Sequence, residues 1–80
     1  MERVNSELVA AFATVLAEAR AECGISQETL AERANISTRH VSYLENAARQ
    51  PSLTILHALC AGLGLPMSEL MLRLDAKLSR

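Results

Sequence analysis

The chain has 80 residues, a net charge of −1, half of its residues hydrophobic and only two aromatics, Phe12 and Tyr43. A chain this short makes a single domain, residues 1–80, which buries about 60–65% of the surface its unfolded form exposes and needs a dense core or a partner for stability. No stretch approaches the ~20 apolar residues of a membrane span, no leader-like segment is visible and two cysteines are too few for a secreted disulfide scaffold, so the expected location is cytoplasmic.

Period-two alternation is absent and β-branched residues are sparse, which predicts an all-α fold. Ser6 is placed to cap a first helix running to Cys23, with Leu8, Phe12, Val15, Leu16 and Ala19 at helical spacing. Gly24 supplies the left-handed position after it, and Ile25 packs back as the following hydrophobe. Ser26 caps a second helix, Gln27 to Ala34, buried through Leu30, Ala31 and Ala34. Asn35 tolerates a left-handed turn, Ile36 plugs inward, and Ser37 caps a third helix from Thr38 to about Asn46. Pro51 and Ser52 mark the next boundary. Ser52 caps a fourth helix, Leu53 to about Leu63, with Leu53, Leu56, Leu59, Cys60 and Leu63 on one face, and Gly64 stops it. Pro66 opens a fifth helix, about 67–78, where its missing N–H costs nothing. That helix carries Met67, Leu70, Met71, Leu74 and Leu78 as a stripe. Cys23 and Cys60 have no metal-ligand spacing and read as two buried small hydrophobes, with a redox switch as the alternative.

Charge is unevenly spread. Residues 1–32 set Arg3 and Arg20 against six glutamates, −4; residues 33–50 set Arg33, Arg39 and Arg49 against Glu45, +2; residues 51–80 come to +1. A weakly positive centre in an acidic body predicts low non-specific affinity for nucleic acid.

Two short helices joined by a three-residue turn, the second capped by serine, have the geometry of a DNA-reading helix-turn-helix, here about residues 26–46. On a wheel of about 100° per residue, Val41 and Leu44 of the third helix point to the core. Arg39, Ser42, Tyr43 and Asn46 lie opposite, with Thr38 and His40 on the flanks. Arginine can bond guanine bidentately and threonine can touch a thymine methyl; an ordinary solvated face is the bland alternative.

The runs Gly24-Ile25-Ser26-Gln27-Glu28-Thr29-Leu30-Ala31, Ile36-Ser37, Val41-Ser42-Tyr43-Leu44-Glu45-Asn46 and Arg49-Gln50-Pro51-Ser52-Leu53 together resemble the lambda-repressor/Cro-type (XRE-like) helix-turn-helix family over roughly residues 12–70. The resemblance implies a five-helix lambda-repressor-like DNA-binding domain and a transcriptional regulator whose partner is double-stranded DNA. It implies that Gln27 contacts phosphate or braces the reading helix. Thr38, Arg39 and Tyr43 fall at base-reading positions, with Ser37, His40 and Ser42 alongside. Asn46 to Gln50 form a loop along the phosphate backbone, with Arg49 as its charged contact, and Arg20 and Glu45 form a partly buried ion pair. The sequence departs from the family pattern at Asn35 and Ala47, where glycine is usual, and in its few basic residues on the first helix.

The apolar stripe runs past the usual end of such a module, and Ile55 and Leu72 fall off the core-facing arcs of their helices. With Met71, Leu74 and Leu78 they form a candidate homodimer interface, since an exposed apolar patch of that extent otherwise lacks cover. A twofold dimer sets its reading helices about 34 Å apart, matching a palindromic operator; a monomer whose last helix folds back is the alternative. His40 and His57 have no carboxylate or thiol at a telling spacing, and neither a Gly-rich phosphate loop nor a metal-ligand cluster occurs, so an enzyme, a cofactor and a metal are not expected. In size and layout the chain resembles the controller proteins of restriction-modification operons and small phage repressors. Two other readings use the same fold: an antitoxin-like module whose chief target is a protein, and an interaction module docking through the acidic first helix.

Overall fold

The structure, a computed structural model, describes residues 4–79. Five helices follow one another: α1 (Ser6–Cys23), α2 (Gln27–Ala34), α3 (Thr38–Glu45), α4 (Leu53–Leu63) and α5 (Met67–Leu78), with no strand among the described residues. The all-α, five-helix architecture expected from the sequence is the one observed.

The starts of α1 to α4 are set by side-chain caps. Ser26, Ser37 and Ser52 each accept a hydrogen bond from the backbone N–H three residues on, at 3.0, 3.0 and 3.1 Å. At α1 the cap is Asn5 and not Ser6: its Oδ1 accepts from the Leu8 N–H at 3.0 Å. Both residue types suit the position, and one residue of register separates them.

The ends of α1, α2 and α4 share one device. Gly24, Asn35 and Gly64 adopt left-handed conformations with φ of 74°, 58° and 72°. The next residues, Ile25, Ile36 and Leu65, donate back to the carbonyls of Arg20, Ala31 and Cys60 at 3.4, 3.0 and 3.0 Å and turn their side chains against the core. α3 ends in the same way, Ala48 donating to the Tyr43 carbonyl at 2.8 Å, but the left-handed position, φ 60°, is held by Ala47. An L side chain there is disfavoured by about 1–2 kcal/mol, partly offset by the larger unfolded-state entropy of glycine. Ala47→Gly is therefore expected to stabilise the fold by about 0.5–1 kcal/mol, a rise of roughly 2–8 °C in thermal melting; a lower melting temperature counts against strain at this position.

The core is aliphatic. Leu16, Leu30, Val41, Leu44, Leu59 and Leu70, from all five helices, are fully buried around Phe12 and Val15. α1 packs on α3 and α5, while α2 packs on α3 and most extensively on α4. That last approach needs Gly62: a Cβ there would stand 3.1 Å from the Cβ of Arg33 and from a methyl of Leu30. α4 and α5 meet at 104° around Gly64 and Pro66, and Arg73 with Glu22 and Lys77 with Glu18, each at 3.1 Å, clasp α5 to α1.

Three sequence expectations about burial are corrected. Leu53 is 75% exposed: its angle on the wheel is right, but at the first turn of α4 it projects beyond the edge of the core. Cys23 is exposed while Cys60 is buried, and burial pushes the Cys60 thiol up from its ordinary range. Ile55 does not fall off the core arc; it is half-buried against the core, as are Met71 and Leu74.

Candidate nucleic-acid interface

α3 is a short amphipathic helix held by its inner face. Val41 and Leu44 are fully buried; Thr38, Arg39, Tyr43 and, at the helix end, Asn46 are exposed, with His40 and Ser42 half-buried. The Ser37 hydroxyl is committed to the cap. At the far end Asn46 donates its amide to the Ser42 hydroxyl at 3.3 Å, so these two groups partner each other on the surface.

A shallow concavity of about 200 Å³ is lined by Ser37, Arg39, His40, Tyr43 and Arg49. Two cations therefore share one polar notch on the outer side of α3. Arg49 comes to it from the loop after the helix, and its guanidinium lies over the Tyr43 ring, 5.4 Å from the centroid, within the range of a cation–π contact. Thr38 is exposed beside this group. Gln50 does not line this notch; it borders an apolar groove instead.

Beneath α3, Glu45 is the anchor. Its carboxylate accepts from Arg20 Nε and Nη2 at 2.6 and 3.0 Å and from Gln27 Nε2 at 3.0 Å. Arg20 also donates from Nη1 to the Ile25 carbonyl at 2.9 Å. One carboxylate thus ties α1, the start of α2 and the end of α3. The pair is largely buried, with the Glu45 side chain 6% and the Arg20 side chain 22% exposed. The hydrogen bonds Arg20 donates to Glu45 hold its pKa above the usual arginine range, against the opposing effect of burial. Of the two roles open to Gln27, its side-chain amide takes the bracing one here. Arg33 leaves the positive centre: its Nη1 donates to the Gly62 carbonyl at 3.1 Å, near the C-terminal end of α4. Neither the Gln27–Glu45 nor the Arg33–Gly62 contact carries a local sequence signal, because the partners stand 18 and 29 residues apart.

The helix-turn-helix family HTH_3 matches residues 16–70, well over half of the chain. An HTH-type transcriptional regulator of Methanothermobacter thermautotrophicus, otherwise uncharacterized, is 37% identical over 51 residues, covering 64% of this chain and 74% of that protein. The chain belongs to the helix-turn-helix family. Among solved structures, the wild-type restriction-modification controller protein C.Esp1396I superposes with a TM-score of 0.86 at 23% identity, covering 91% of this chain and 96% of that one. The clp gene regulator ClgR of Corynebacterium glutamicum gives 0.85 at 25% identity, covering 90% and 77%. At 23% identity the first likeness carries the fold alone.

The apolar groove of this helix-turn-helix protein has a volume of about 210 Å³ and is lined by Leu8, Val9, Phe12, Gln50, Pro51, Leu56, Met71 and Leu74. Met71 and Leu74 are its walls, while Leu72 and Leu78, 65% and 39% exposed, stand outside it. Sequence reasoning does not bring Leu8 and Leu56 to this groove, because spacing along one helix does not show which ends of three helices converge. Among the described residues no single helix is long and apolar enough to cross a membrane, and no cluster of three His, Cys, Asp or Glu side chains is placed to hold a metal.

Proposed function

We propose that this protein is a sequence-specific DNA-binding transcriptional regulator that acts in the cytoplasm, uses the whole chain as one domain, and grips a palindromic operator as a homodimer. The observation that carries the reading is the outer face of α3: exposed Thr38, Arg39 and Tyr43 on a helix whose inner face is fully buried and whose end is tied down by Glu45. Such a helix can enter a major groove without distorting the subunit. Arg39 suits bidentate bonding to a guanine and Thr38 a thymine methyl or a base edge, with His40, Ser42 and Asn46 alongside. The loop from Asn46 to Arg49 runs beside the helix, where backbone contacts set register. The regulatory role named for the Methanothermobacter relative supports the same reading.

The dimer rests on the apolar side. Leu72 and Leu78 are exposed on α5, the helix that also carries Met71 and Leu74, and on α4 Leu53 is exposed and Ile55 half-buried. A twofold contact buries the same patch on both subunits and brings two reading helices onto successive turns of the duplex.

Selection of bound sites from random duplex DNA tests the proposal. A site with two inverted half-sites is expected, and Arg39→Ala should weaken binding by roughly 1–3 kcal/mol while relaxing preference at one position per half-site. Failure to enrich any sequence, with a protein partner retained instead, replaces this reading by the antitoxin-like one.

A further inference from the structure

The geometry points to Arg49 as a base-reading residue, held in place by Tyr43, and not as a phosphate contact of the loop. The inference rests on the DNA-binding reading above and deepens it. A phosphate-gripping arginine on a loop is free to swing along the backbone. Arg49 instead has its guanidinium over a ring carried on α3 itself, 5.4 Å from the centroid, a contact that couples it to the reading helix. Tyr43 lies one turn beyond Arg39 on the same exposed face, and the notch they line holds both guanidiniums together with Ser37 and His40. When α3 enters a major groove, that notch faces base edges. A planar guanidinium whose position is fixed by an aromatic partner still has its fork of N–H donors available for a pair of acceptors. That suits the paired O6 and N7 acceptors of guanine, while the exposed ring edge suits a thymine methyl. Each half-site should therefore contain two guanines, one read by Arg39 and one by Arg49.

The test compares the wild-type chain with Arg49→Lys, Arg49→Ala, Tyr43→Phe and Tyr43→Leu. Duplexes carry the selected site and its single-base variants, and each titration is repeated across a range of salt concentrations. Arg49→Ala is expected to lose roughly 10- to 100-fold in affinity for the selected site and to become indifferent to one guanine that Arg39→Ala still prefers. Arg49→Lys keeps the charge but loses the planar fork, and should lose most of the same preference. Tyr43→Phe keeps the ring and the preference; Tyr43→Leu loses discrimination at the guanine read by Arg49. Both residues are exposed, so unchanged thermal melting checks the fold. An Arg49→Ala protein weakened equally on every sequence, with its salt slope reduced by about one, makes Arg49 a phosphate contact and overturns the inference while leaving the regulator standing. A wild-type chain that selects no site removes the DNA reading, and this inference with it.

Discussion

Glu45→Ala is expected to lower stability by about 2–3 kcal/mol. Removing one partner of a buried pair typically costs about 3–5 kcal/mol, and the partial exposure of Arg20 reduces it. The carboxylate accepts three hydrogen bonds, two from Arg20 and one from Gln27. Deleting it strands a guanidinium and an amide that are both largely covered. For a domain of this size, the loss corresponds to roughly 10–20 °C in melting temperature. DNA affinity should fall with it, because the end of α3 loses its tie to α1 although Glu45 itself faces away from the groove. A second variant separates charge from packing. Arg20→Met with Glu45→Leu replaces the pair by apolar groups of similar volume, which is often close to neutral for stability. Calorimetric melting of both proteins decides the matter. A Glu45→Ala chain that melts like the wild type means that the pair contributes nothing to holding α3.

Leu72→Glu is expected to break up the proposed homodimer and, through it, to weaken operator binding. Leu72 is 65% exposed, so a charge there leaves the subunit's own core intact. In a twofold contact the same substitution enters the interface from both sides. A single subunit then reads one half-site, and the avidity of two linked sites, worth about 10²–10⁴ in affinity, is lost. Sedimentation should show a monomer with the far-UV spectrum of the wild type, and titration against the selected operator should weaken by that factor. The wild-type melting temperature should rise with protein concentration, as expected when association is linked to folding, and that of the variant should not. A Leu72→Glu chain that still sediments as a dimer would place the contact elsewhere.

The two expectations differ in how visible they were beforehand. Family resemblance implies the Arg20–Glu45 pair, but it leaves two roles open to the third member, Gln27, and only the 3.0 Å contact to Glu45 selects one. The apolar surplus on α4 and α5 is legible as a count. Its distribution is not: spacing puts Leu53 on one face with Leu56 and Leu59, yet it is mostly exposed, while Ile55, expected off the core-facing arc, packs half-buried against the core. A helical wheel reports angle around an axis. Burial also depends on position along that axis and on what neighbouring helix ends cover.

What the sequence determined by itself was local. Serine before a helical run, glycine or asparagine after it, and a hydrophobe one residue later act through hydrogen bonds spanning three to five residues, and they set the bounds of α2 and α4 and the turn between α2 and α3. Even Ala47, noted as a departure from glycine, adopts the left-handed conformation that the motif requires. What only the tertiary structure decided was pairing between distant side chains. Arg33 bonds the Gly62 carbonyl and is withdrawn from the positive centre. Gln50 borders an apolar groove, and Arg49 lies on Tyr43. Long side chains choose partners by where the folded backbone brings them, and that placement emerges only when all five helices close on one core.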